Sequence, residues 1–202
     1  MNAAADYAAV RKALTKPLPP YVSYVTRTQA KIGPFNHDGT QHIVVRTSDG
    51  KVLSGKTDNI QISSGGSSSP GDVVTRPVFE ANCYAATAAR NAEFEGKTVE
   101  ALSVHYTCPK SGGDHERDFN TLYVDPASLD PIAAVEIDND QHVDALLTQR
   151  FARVGDRVLP SVLDVRIKGS GFMAWLDITV HQAISDYAFS DHEPPLPAPT
   201  SS

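Results

Sequence analysis

Two stretches in the second half of the chain alternate between apolar and polar residues with a period of two. Over residues 158–168, Leu163, Val165 and Ile167 alternate with Asp164, Arg166 and Lys168. Over residues 172–180, Ala174, Leu176, Ile178 and Val180 alternate with Trp175, Asp177 and Thr179. A strand points successive side chains to opposite faces, so this pattern puts every apolar residue on one face. The matching architecture is an antiparallel sheet buried on one side and wet on the other.

The rest of the chain fits that frame. Residues 99–107 place Leu102, Val104 and Tyr106 on one side, and residues 119–124 form a strand ended by Asp125-Pro126. Residues 132–137 follow, and Asp138-Asn139-Asp140 reads as a turn. Residues 142–154 suit a strand, with helix as the alternative, and Gly155-Asp156 turns. Ser170-Gly171 turns before residues 172–180, and residues 184–190 form the last strand. In the first half, residues 21–32 and 41–47 read as strands rich in β-branched and aromatic residues. Turn chemistry lies between them at residues 36–39. Ser48-Asp49-Gly50 is a hairpin signal because Asp-Gly tolerates positive φ, with residues 52–56 running back. No βαβ rhythm is present.

Two segments read as helices. In residues 3–16, Tyr7, Val10, Ala13 and Leu14 fall on one face, and Pro17, Pro19 and Pro20 end the segment. Residues 79–94 are Ala-rich, with Ala81, Tyr84, Ala85, Ala88, Ala89 and Ala92 as a weakly apolar stripe and Gly96 as the stop. The expected fold is therefore α+β: a strongly curved antiparallel β-sheet, an unclosed half-barrel, covered on one face by short helices. Residues 63–72 are a flexible Ser/Gly-rich loop. Residues 1–192 make one domain, and the Pro-rich tail 193–202 is disordered.

Composition narrows the function classes. The formal net charge is −6 and no Lys/Arg cluster occurs, which argues against nucleic acid as a partner. No apolar run reaches the ~18 residues of a helical membrane span. Cys83 and Cys108 are an even pair, compatible with one disulfide in an oxidising compartment or with two unpaired buried thiols. A bridge would close a loop of about 25 residues, worth about 3 kcal/mol in the chain-entropy model. The start of the chain has neither a basic n-region nor an apolar h-region. It reads as a mature exported protein, periplasmic or secreted, with a cytosolic protein as the alternative.

Chemistry-bearing motifs are absent. The seven histidines show no metal-ligand spacing such as HExxH. Cys108, Asp114, His115 and Glu116 sit beside Ser-Gly-Gly and read as an exposed turn rather than a metal site. There is no GxSxG, no SxxK and no phosphate-cradling Gly loop. Asp125, Asp130, Glu136, Asp138 and Asp140 cluster, but mostly at strand ends and turns, where Asp is ordinary turn chemistry. A calcium site at Asp138-Asn139-Asp140 lacks the ligand pattern of known loops. No catalytic residue, metal or cofactor is assigned.

Several strings carry a family resemblance: LYVDPASLDPIAAVEI at 122–137, VGDRVLPSVLDVRI at 154–167 and the closing DYAFS, with YVSYV and VVRTSDGKV in the first half. They resemble the outer-membrane lipoprotein-sorting carriers, the LolA/LolB-like superfamily, and related exported proteins. The resemblance implies an unclosed barrel whose cavity holds acyl chains, with helices as a lid. It shows no match for the Arg that controls the lid in some carriers.

The resemblance implies a ligand face made of Leu102, Val104, Tyr106, Leu122, Val124, Leu163, Val165, Ile167, Leu176, Ile178 and Val180. With aromatic residues at 7%, a pocket there is aliphatic and suited to acyl chains. The expected partners are an apolar small molecule, a lipid or an acylated protein, together with a membrane-associated partner. The alternative from another class is a protein-interaction module whose apolar face is a filled core. An enzyme ranks last.

Overall fold

The computed structural model describes residues 2–54, 84–107, 120–139 and 142–194. The chain opens with helix α1 (Ala3–Leu14). Asn2 caps it, its side-chain oxygen accepting the Ala5 N–H, while the Asp6 carboxylate accepts the Asn2 N–H. Arg11 and Lys12 lie in the last turn, where cations favour the negative end of the helix dipole. Tyr7 and Val10 are buried, and Ala13 and Leu14 pack beside them, as the three-and-four spacing predicts.

The strands are β1 (Tyr21–Ile32), β2 (Phe35–Arg46), β3 (Lys51–Ser54), β4 (Tyr84–Phe94), β5 (Lys97–Tyr106), β6 (Thr121–Val124), β7 (Pro131–Asn139), β8 (Val143–Val154), β9 (Arg157–Gly169) and β10 (Asp177–Ser190). They form one antiparallel sheet in the order β3-β2-β1-β10-β9-β8-β7-β6-β5-β4. The first and last long strands therefore pair in the middle, and β3 and β4 are the edges. The sheet does not close on itself.

Helix α1 touches β4, β7 and β9. In a flat sheet β4 and β9 would lie about 24 Å apart, against a helix length of about 18 Å. Side chains of both strands nevertheless join the helix in one buried cluster, so the sheet curves around α1. Register shifts at Ser23/Val25, Ala86/Ala88, Tyr123/Val124 and Arg150/Phe151 supply local bends.

Several expectations are corrected. Residues 84–94 are a strand, not the end of an Ala-rich helix; residues 79–83 lie outside the described residues. Pairing with β5 through a turn at Glu95-Gly96, both at positive φ, overrides the helix propensity of alanine. Hence α1 is the one α-helix among the described residues, and among them a single helix, not the several expected, lies over the sheet. The first hairpin turns at Gly33-Pro34, Gly33 having φ +56°, so residues 36–39 belong to β2. Asp138 and Asn139 still belong to β7.

Residues 171–173 form a 3-10 turn, and β10 begins only at Asp177 and then runs unbroken to Ser190. Gly169 permits that turn: a Cβ there would meet the Met173 carbonyl oxygen at 1.9 Å. Residues 143–154 are a strand, which resolves the helix alternative. The Ser/Gly loop at 63–72, the turn at 111–114 and the tail from 195 onward lie outside the described residues.

Candidate functional site

The inner face of the sheet is a set of rows fixed by strand register. One row runs Thr28, Gln182, Leu163, Gln149, Ala134, Leu122, Leu102, Ala89, crossing eight strands. The next contains Ala30, Val180, Val165 and Leu147, and a third, at the end of the sheet, contains Phe35, Ile32, Ile178, Ile167 and Ala145. Tyr7 and Val10 of α1 close over the first two rows. Toward β2 the same face continues as a second cluster of Val22, Tyr24, Ile43, Val45 and Ile184. There the Tyr187 hydroxyl donates to the Pro160 carbonyl at 2.6 Å, and burial raises its pKa.

No protein-family model and no curated protein matches the chain. Solved structures do. A Vibrio parahaemolyticus domain named as an outer membrane lipoprotein-sorting protein matches at TM-score 0.52 and 14% identity, covering 96% of this chain and 95% of that one. The chain shares the fold of that domain. A LolA superfamily protein from Nitrosomonas europaea aligns at TM-score 0.49 and 11% identity over 96% of both chains. A DUF1329 family protein from Desulfovibrio piger aligns at 0.47 and 10% over 92% of both.

Within this sheet, Leu102, Val104, Leu122, Val124, Leu163, Val165 and Val180 are all buried in the cluster beneath α1. Ile167 and Ile178 are half-buried at its margin. Leu176 stands apart, in the segment before β10, and the Tyr106 side chain falls outside the described residues. Cys83 and Cys108 also lie outside the described residues. Sequence reasoning missed Tyr84, Ala134, Leu147, Phe151 and Val158, which join the same cluster. Val158 breaks the simple alternation because the register shift at Arg150/Phe151 leaves Ser161 of β9 as an extra residue, whereas Phe151 continues the alternation of Leu147 and Gln149.

Polar groups enter the inner face at few places. Gln182 donates to the Thr28 hydroxyl at 3.0 Å. Glu100, 5% exposed, lies between Leu102 and Val124 and meets Asp6 of α1; its Oε1 has no hydrogen-bond partner. Burial first, and the Asp6 carboxylate second, raise the Glu100 pKa. A cleft of about 190 Å³ opens where the end of α1 and its Pro-rich exit meet Thr47 and residues 157–159. Its walls are pinned: Lys16 pairs with Asp156, and Thr47 Oγ1 donates to the Pro19 carbonyl at 2.7 Å.

The outer face carries charge. Asp164 bridges Arg150 and His181, and Arg150 also pairs with Glu95. Asp164 titrates low: burial opposes its ionisation, but hydrogen bonds from His181 and Arg150 outweigh that cost. Two members of the acidic cluster, Asp125 and Asp130, hold turns and ion pairs, while the Asp138 side chain and Asp140 lie outside the described residues. Asp125 Oδ1 accepts the Ala127 and Ser128 N–H groups at 2.9 and 2.8 Å, and Asp130 pairs with Arg153. Among the described residues no group of three His, Cys, Asp or Glu could hold a metal ion, and no helix is long and apolar enough to cross a membrane.

Proposed function

We propose that this protein is an exported, non-enzymatic carrier or sensor that holds an apolar ligand against the inner face of its sheet. The ligand class is an acyl chain, borne by a lipid or by an acylated protein. The observation that carries this reading is an apolar face crossing eight strands whose described roof is one twelve-residue helix. A helix of that length is marginal alone and is held by its packing. Its displacement would expose Leu102, Leu122, Val124 and Val165 together. A bound chain of about 12–16 carbons would then replace the helix side chains, gaining ~0.8 kcal/mol per CH₂ removed from water. The lipoprotein-sorting name of the Vibrio parahaemolyticus domain is in keeping with such cargo. The oxidising compartment assigned to the Cys83–Cys108 pair is the periplasm or the exterior.

One observation favours a second reading, a protein-interaction module with a filled core. Leu102, Leu122 and Val124 are fully buried with α1 in place. Mass spectrometry of organic extracts from natively exported protein, against a matched control, separates the two. A stoichiometric lipid supports the carrier; a blank extract together with no uptake of fluorescent acyl probes supports the module. Val165→Asp places an unpaired carboxylate on the inner face. It is expected to abolish probe uptake and lower the melting temperature; a variant that keeps both would remove Val165 from the ligand face.

A further inference from the structure

Five large apolar side chains remain exposed among the described residues: Phe35 (75%), Phe172 (73%), Trp175 (71%), Ile137 (52%) and Leu146 (38%). Strand direction places all five at one end of the sheet. Phe35 begins β2, Ile137 is near the end of β7 and pairs with Leu146 of β8, and Phe172 and Trp175 lie between β9 and β10. Register puts Phe35 on the inner face and Ile137 and Leu146 on the outer one, with Phe172 and Trp175 on the connection at the same end. Scattered apolar residues need no explanation, but exposed ones concentrated at one end of a sheet mark that end as an interaction surface.

The tips are built rather than loose. The Gly33 N–H donates to the Asp177 carbonyl at 2.8 Å, joining the β1–β2 turn to the start of β10. The Ser170 N–H donates to the His142 carbonyl at 2.8 Å, and the His142 ring meets Phe172 edge-on at 4.6 Å. Three neighbouring connections are thus tied into one rim.

We propose that this rim docks on a lipid bilayer, its aromatic tips entering the headgroup boundary so that the inner face opens toward the hydrocarbon. Three features favour a bilayer over a protein. Phe35 stands on one tip and Phe172 and Trp175 on the neighbouring one, so the exposed aromatics project from the end of the sheet rather than line a groove. Trp and Phe are side chains suited to a membrane interface. Lys31, Arg166 and Lys168 are exposed just behind the tips and reach headgroup phosphates, although Asp144 and Asp177 share that zone. The rim is also continuous with the site: Phe35, Ile32, Ile178 and Ile167 form one row leading to the cluster under α1. The proposed use of the rim, transfer of cargo without crossing water, rests on the carrier reading; the docking itself does not.

Trp175 is the single tryptophan of the chain and reports directly on the rim. The test adds vesicles of phosphatidylethanolamine with a minor fraction of phosphatidylglycerol to the full chain. Docking predicts a blue shift of Trp175 emission, quenching by brominated acyl chains and flotation of the protein with the vesicles. The Phe35→Ser/Phe172→Ser double variant keeps the reporter and is expected to lose at least tenfold in vesicle partition, with its melting temperature unchanged. Unmoved Trp175 emission with no flotation would overturn the proposal, as would full partition of the folded double variant. Acyl-probe uptake measured without vesicles keeps the two readings apart. Uptake without docking refutes the rim alone, and docking without uptake upholds the rim while refuting the carrier.

Discussion

Glu100 is the residue least suited to its place. It lies among Leu102, Leu122 and Val124, meets a second carboxyl from Asp6, and leaves one oxygen unpartnered. Burial and Asp6 both favour its protonated form, so its folded pKa lies above the ordinary 4.5. The stability this contributes is fully present below that ordinary value and is lost as pH rises through the raised folded value. Asp164 acts in the opposite sense: its pKa is lowered, so its contribution is present above the ordinary carboxylate range and lost in acid. Glu100→Gln isolates the first effect. It keeps the shape and supplies donors to Asp6. Thermal melts across pH should show the variant more stable than the parent at neutral pH and nearly equal to it in acid. Parallel curves would mean that Glu100 is solvated in the folded protein.

At the scale of elements, the informative piece is β4. Alanine favours helices, and the stripe from Tyr84 to Ala92 reads as one. Pairing with β5 decides otherwise, and the small side chains then serve packing: Ala86 and Ala89 sit under the helix edge, leaving room for Tyr7 and Val10. Ala89→Leu adds volume directly beneath α1, in the row that contains Leu102. The expected loss is about 1–3 kcal/mol, with α1 losing its seat before the sheet does. Hydrogen exchange should show faster opening of residues 5–14 while β5 and β9 stay protected. Equal protection everywhere would mean that α1 does not rest on β4.

For the whole molecule, the sheet order makes β10 the keystone. It pairs with β1 on one side and β9 on the other, so it joins the first three strands to the other six. The partners of β1 in β10 lie far along the chain, a non-local topology of the kind that folds slowly. A chain ended at residue 176 would keep every hairpin among the described strands except β9–β10, and would lose the β1–β10 junction. It is expected to lose cooperative unfolding, read by calorimetry or circular dichroism melting. A sharp transition near that of the full chain would show that β4–β9 with α1 is a self-sufficient unit.

By itself the sequence determined what depends on neighbouring residues. Alternation at Leu163, Val165 and Ile167 set the inward face, Asp49-Gly50 and Gly155 set turns, and Tyr7 and Val10 set the buried side of α1. These were legible because side-chain direction repeats locally, every second residue in a strand and every third or fourth in a helix. Most of the inner-face residues, from Leu102 to Val180, were legible for the same reason. The tertiary structure alone decided what depends on distant partners. Pairing with β5 made the Ala-rich segment a strand, and the missing Cβ of Gly169 let the chain turn before Trp175. The union of β1 with β10 brought Phe35 beside the β9–β10 connection. Hydrogen bonds between strands far apart in sequence settle such choices, and no local pattern encodes which partner a strand will find.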